Sequence, residues 1–350
     1  MKKLLDRIFI DGLTGMAHGL FATLIIGTII QQIGTYCGGN IGGLIFTLGK
    51  VAAGLTGAGI GAGVARKLDA GHLVIVSAAV VGMIGAFAGD VMSGDIVNDG
   101  SLVLSGPGEP LGAFVAAYIA IEIGILISGK TKLDIILTPL VCIGAGSAVG
   151  LLVGPPISGF MAWLGSLINW GTEQQPFVMG IVVSVLMGMI LTLPISSAAL
   201  GVILNLSGLA AGAATVGCCC NMIGFAVASF RENKFGGLLS QGIGTSMLQV
   251  PNIVRHPQIW IPAIVSSAVL GPVSTMIFHM TNNATGSGMG TAGLVGPLMT
   301  WQVMTQTETE MIVLVKIILI QFILPAVVTL LISEFMRKKK WIRFGDMKLE

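Results

Sequence analysis

The stretch that decides the fold is HMTNNATGSGMGTAGLVGPLMTWQ, residues 279–302. It separates two apolar runs and sets His279, Asn282 and Asn283 beside five glycines and a Gly296-Pro297 break. Each glycine disfavours a helix by about 1 kcal/mol relative to alanine, so Gly286, Gly288, Gly290 and Gly293 argue against one long regular helix. The segment is also too apolar for an ordinary solvent loop. Irregular backbone at membrane depth persists only where protein buries it or it lines a wet cavity. The stretch therefore reads as a buried hairpin, on condition that the rest of the chain sits in a bilayer.

Composition supplies that condition. The chain has 350 residues, 54% hydrophobic and 10% charged, with a mean hydropathy of +0.92. Soluble domains carry about 25% charged residues, so these few charges cannot cover a soluble surface of this size. Membrane lipid is the main solvent. The 51 glycines suit the close approach of membrane helices. The net charge of +2 carries little information, and no nucleic-acid partner is expected. Five cysteines show no metal-ligand spacing, and Cys218-Cys219-Cys220 read as small packing residues. Asp6, Arg7 and Asp11 interrupt any signal-peptide core, so residues 1–17 read as an amphipathic interfacial helix leading into a span.

A spanning helix needs about 20 apolar residues. Candidates are 14–35, 41–65, 72–93, 111–128, 134–154, 177–193, 261–281 and 311–334. Lys and Arg fall in short patches: Lys2, Lys3 and Arg7; Arg66 and Lys67; Lys130 and Lys132; Arg231 and Lys234; Arg255; and Arg337 to Lys340 with Arg343. With a cytoplasmic N-terminus, every patch lands inside and the C-terminus does too. Loops 94–110, 155–176 and 282–310 contain no Lys or Arg and fall outside. Two segments then become candidate hairpins. Residues 195–230 must leave the inside and return, as two tight helices or a re-entrant pair. Residues 284–300 must dip in from the outside without crossing. The expectation is an all-α polytopic membrane protein of about 8–10 transmembrane helices with re-entrant hairpins, in one transmembrane domain over 1–350.

Polar residues at depth supply the site candidates. Lys50 and Glu122 lie mid-span at one depth, about 15 Å below the outer face at 1.5 Å per residue. An unpaired charge there costs several kcal/mol, so they are expected to pair, as a coupling or gating pair. A structural ion pair, or a snorkelling lysine with an uncharged glutamic acid, explains them equally. Asp90, Asp95, Asn98, Asp99 and Glu109 collect on the outer side, with Glu109 in a tight Gly-Pro-Gly-Glu-Pro turn. Its carboxylate can accept two hydroxyl hydrogen bonds from a sugar or polyol; the alternative is a helix cap. Pro194 followed by Ser196 and Ser197 suits a half-helix N-terminus, the end that faces ligands in transporters. Gln249 and Asn252 are neutral hydrogen-bonding groups in a Gly/Pro-broken apolar segment. Of the four histidines, only His279 stands beside other polar residues at depth. GAGIGAG at 57–63 has no strand before it and reads as helix packing. No nucleophile–base set, metal-ligand set or phosphate loop is present, so no catalytic residue, metal or cofactor is expected.

PISSAAL, GTSMLQVPNIVRHPQIWIPAIVSS and GMGTAGLVGP, between Pro194 and Pro297, resemble the membrane-embedded IIC (EIIC) component of the bacterial phosphotransferase system. The likeness is to the branch that includes perfringolysin-regulator-like members. It implies a homodimeric helical permease with re-entrant hairpins and alternating access. Two departures stand out. Sugar members carry a Gly-x-Thr-Glu-like motif late in the domain, whereas the Gly-x-Glu-Pro-like string here, Gly108 to Pro110, comes early. No soluble IIA or IIB domain is present, so phosphorylation of a substrate would need separate IIB and IIA proteins. The expected function is inward movement of a small polar solute, a sugar or polyol, across the bacterial inner membrane. Glu109, Ser196, Ser197, Gln249, Asn252, His279, Asn282 and Asn283 are the candidate contacts. The rivals are a membrane sensor that kept the permease fold and a binder or exporter of an apolar ligand, suggested by the 18 methionines.

Overall fold

A computed structural model of the chain describes residues 6–94, 96–98, 101–104 and 106–349. Lys2, Lys3, Asp95 and Asp99, used above for sidedness and the outer polar stretch, lie outside the described residues. The chain divides into two compact units, Met1–Met161 and Ala162–Glu350.

In the first unit, α1 (Arg7–Cys37) is one uninterrupted helix. The interfacial helix expected over 1–17 is instead built into it from Arg7 onward. Leu13, Met16, Ala17 and Leu20 are buried in the unit's core, while Phe9 is exposed. The expected span 41–65 is two helices, α2 (Gly39–Gly54) and α3 (Thr56–Lys67), bent by 51°. Then come α4 (His72–Ala86), the short α5 (Ala88–Ser93) and a two-residue ladder pairing Val97 with Leu102. α6 (Pro110–Ile127) follows. Glycines set the helix spacing. A Cβ at Gly19 would run into the backbone of Gly59, and one at Gly61 into the carbonyl of Ala78. Small residues let membrane helices close on each other without a hydrophobic driving force.

The helix α7 (Asp134–Thr172) runs for 39 residues through Pro139, Pro155 and Pro156. The outer loop expected at 155–176 is therefore helical as far as Thr172. An interior proline removes a donor and crowds the carbonyl four residues back; membrane helices tolerate this because the freed backbone groups find other partners.

The second unit is built around α10 (Gly208–Ala228), in which Ala211 to Met222 are buried without a break. Against it lie α8 (Pro176–Thr192) and α13 (Pro257–Ile277). A Cβ at Gly217 would meet the backbone of Ser184, and one at Gly271 the carbonyl of Gly180. The expected hairpin at 195–230 is asymmetric. A seven-residue α9 (Ser197–Ile203) is followed, after left-handed Asn205 and Gly208, by the 21-residue α10, which is long enough to cross alone. Next come α11 (Phe230–Leu239), a broken stretch over 240–249 and α12 (Val250–Arg255). After α13, the stretch 284–304 contains α14 (Ala284–Ser287) and α15 (Val295–Met304). α16 (Glu310–Lys338) leads to a tail that folds back.

Among the described residues, six helices are long and apolar enough to cross a membrane, or seven with the bent pair. α4 and α8 are shorter apolar helices of 15 and 17 residues. The chain is an all-α polytopic membrane protein.

Candidate solute site

The opening stretch folds as two short helical legs joined by a tight tip. Asn283 caps α14, its Oδ1 accepting from Gly286 N at 3.0 Å. The tip turns through three left-handed residues, Gly290, Gly293 and Leu294. Glycine takes that conformation without a Cβ clash. Leucine does not, which places about 1–2 kcal/mol of strain at the tip. Gly290 lies so close to Cys218 of α10 that a Cβ there would overlap it.

Asn282 holds the two legs together. It is 1% exposed. Its Nδ2 lies 2.8 Å from Thr215 Oγ1, 3.1 Å from Gly296 O and 3.0 Å from Thr300 Oγ1. Its Oδ1 accepts from Asn283 N at 2.8 Å. The buried amide was expected to find its partners on a hydroxyl-bearing solute; the fold supplies them internally. Asn283 differs. It is half-buried, and its Nδ2 has only the weak acceptor Met299 Sδ at 3.5 Å. His279 is exposed in a left-handed conformation, with no hydrogen-bond partner among the described residues.

The half-helix α9 meets this hairpin. Ser196 caps it, accepting from Ala199 N at 3.3 Å. Ser197 Oγ donates to Gly288 O at 2.6 Å. Where α10 begins, Gly208 bridges to Asn282. Ser196, Ser197, Asn282 and Asn283 are thus gathered in one place, where α9 packs on α14 and α14 packs on α10.

The other candidates are elsewhere. Gln249 and Asn252 are buried, and they hold the C-terminal tail: Gln249 Nε2 donates to Met347 O at 3.0 Å and Asn252 Nδ2 to Lys348 O at 2.9 Å. Glu109 caps α6 in the first unit, its Oε1 3.4 Å from Leu111 N. Lys50 and Glu122 do not pair. Glu122 Oε1 accepts from Arg7 Nε at 2.6 Å, while Lys50 is exposed and has no ion-pair partner among the described residues. The helix through Arg7 delivers a guanidinium to α6 first, and Lys50 lies on the outward face of α2.

The family model for the phosphotransferase system EIIC component matches residues 10–349. The chain belongs to the phosphotransferase system EIIC family. Membership makes it a multi-pass membrane component of a permease for sugar-type substrates, working with IIB and IIA partners. A comparison with curated proteins found no match.

Three features of this EIIC chain were missed in the sequence. Thr215, Thr300 and Gln321 form the polar lining around Asn282, with Gln321 Nε2 donating to Thr300 Oγ1 at 2.8 Å. Single polar residues in apolar helices give no pattern to find. Asn221, hidden behind three cysteines, joins Thr192 at 3.1 Å and Trp260 Nε1 at 2.9 Å. Asn233 binds the tail from 114 and 116 residues away, a separation that no local motif reports.

Proposed function

We propose that this EIIC chain moves a small polar solute, a sugar or polyol, inward across the bacterial inner membrane by alternating access. The observation that carries the reading is the meeting of α9 with α14 of the 284–304 hairpin, which itself packs on α10. Two interrupted helices meet there, with a capped N-terminus on each. Such ends are where transporters hold polar ligands, and irregular backbone at that depth serves a cavity or a moving part. Asn283, His279 and Ser196 are the proposed contacts. Asn283 has an under-used amide, His279 an unpartnered ring, and the Ser196 hydroxyl retains its proton. Ser197 and Asn282 position them. Glu109 is proposed as an outer contact for hydroxyls. The hairpin enters from the outside and both termini are cytoplasmic, supported by the placement of Lys and Arg. The chain works as a homodimer in lipid, as the family resemblance implies, and a separate IIB protein would phosphorylate the substrate.

A second reading has its own support. Asn282, the most buried amide of the hairpin, is satisfied internally, so the hairpin is complete without a solute, which suits a membrane sensor that kept the permease fold without transport. Thermal stabilisation of the purified chain across sugars, polyols and lipids tests binding. A rise in Tm with a sugar or polyol that shrinks in Asn283→Ala supports the site. Stabilisation by apolar lipids alone refutes it.

A further inference from the structure

Beyond the membrane core, the second unit ends in a tail that turns back on the 229–256 segment. After α16, Lys340 takes a left-handed conformation and Trp341 N bonds to Met336 O at 2.9 Å. Ile342 and Met347 then insert as side chains of 2% and 0% exposure. Glu232, buried, anchors the approach by an ion pair with Arg337 at 2.8 Å.

The surface under the tail is a ladder of amides. Gln241 Nε2 donates to Ser229 Oγ at 2.9 Å, Gln249 Nε2 to Gln241 Oε1 at 2.9 Å, and Asn252 Nδ2 to Gln249 Oε1 at 2.9 Å. Each of the last two amides has one proton left over, and each gives it to a tail carbonyl, Met347 O and Lys348 O. Asn233 reads the same turn-rich segment from the side, donating to Met347 O and accepting from Leu349 N, both at 2.8 Å. Successive carbonyls and a backbone N–H are main-chain groups, so the slot reads backbone rather than side chains. With the tail lifted away, Gln249 and Asn252 would each keep a donor without an acceptor in a buried site, which is unfavourable.

The ladder also touches the hairpin. Gly242, next to Gln241, accepts from Thr291 Oγ1 at 2.5 Å, and Thr291 stands at the hairpin tip beside Gly290. Beneath that tip lie Cys218, Cys219 and Cys220, all fully buried, with Cys218 Sγ 3.7 Å from Ser287 O.

We propose that Asn233, Gln241, Gln249 and Asn252 form a peptide-backbone slot whose resident ligand is the chain's own tail, residues 341–349. Its occupancy latches the segment on which the hairpin tip rests. Tail release loosens the tip and opens a path to Cys218. The latch holds whatever solute the chain carries, so its test needs none.

The test uses the full chain with Cys37→Ser and Cys142→Ser, leaving Cys218 to Cys220 as reporters of the tip. Met347→Asp places a charge in the buried seat and leaves the slot intact. N-ethylmaleimide should then modify the remaining cysteines roughly tenfold faster, a factor matching one or two hydrogen bonds released. An added synthetic peptide of residues 341–350 should restore slow labelling, and a scrambled peptide should not. Unchanged labelling overturns the latch. So does faster labelling that the peptide fails to reverse, since that marks the tail as a plain structural element. Should Met347→Asp fail to fold, Asn252→Leu in the same background removes one slot donor at similar volume. Faster labelling at retained Tm then supports the proposal, and an unchanged rate overturns it.

Discussion

Asn282→Ala should be the most damaging alanine substitution among the hairpin's asparagines. The amide has two protons shared among three acceptors, and interhelical hydrogen bonds in membranes average about 0.6 kcal/mol each. Those acceptors keep other partners: Thr215 Oγ1 also bonds Ala211 O, and Thr300 Oγ1 bonds both Gly296 O and Gln321. The larger effect falls on Asn283 N, whose bond to Asn282 Oδ1 is lost; stranding a buried N–H costs about 1–3 kcal/mol. The sum is about 2–4 kcal/mol. At about 2–4 °C per kcal/mol for a unit of this size, Tm in detergent should fall by about 4–16 °C. Asn283→Ala removes one helix cap, about 1 kcal/mol, and should lower Tm by only a few degrees. Intrinsic fluorescence during heating reads both. Equal small shifts for the two variants would refute the division of labour, with Asn282 as the clamp and Asn283 as the group left for a ligand.

Other outcomes follow from particular contacts. Glu122→Gln and Arg7→Gln should show coupling of about 1 kcal/mol in a double-mutant thermal cycle, whereas Lys50→Met should shift Tm by less than about 1 °C; coupling of Glu122 to Lys50 instead would overturn the assignment. Gly217→Val should abolish folded expression, because its side chain would meet the Ser184 backbone, while Gly236→Ala should be neutral, as a Cβ there meets nothing; size-exclusion profiles decide. In cells expressing a cysteine-free background, Thr307→Cys should react with an impermeant maleimide and Lys132→Cys should not; the reverse pattern would invert the proposed topology.

Much of the architecture was legible because membrane physics is simple along a chain. Apolar run length marked α6, α8, α13 and α16 to within a few residues, and the glycines and Pro297 of 279–302 announced a broken segment. Local rules failed where long-range packing intervened. The candidate span ended at 154 with a loop over 155–176, yet α7 continues through Pro155 and Pro156 to Thr172. Counting depth along straight helices paired Lys50 with Glu122, but α2 and α3 meet at a 51° bend and Arg7 reaches Glu122 from 115 residues away. Gln249 and Asn252 were read as hydrogen-bonding groups that contact the solute. Their partner is the tail, 96 to 98 residues downstream, and nothing in either segment names the other.

The central claim is that the two broken helices of the second unit form a solute site that carries its ligand across the bilayer. Its most direct measurement is uptake of a stabilising sugar or polyol, radiolabelled, into proteoliposomes holding the wild-type chain, the Asn283→Ala chain or no protein. The account predicts saturable uptake by the wild type and a loss of about tenfold in Asn283→Ala, the factor for one hydrogen bond to the solute. Binding without uptake by the wild type would contradict transport and leave the chain a sensor, and uptake undiminished in Asn283→Ala would place the site elsewhere.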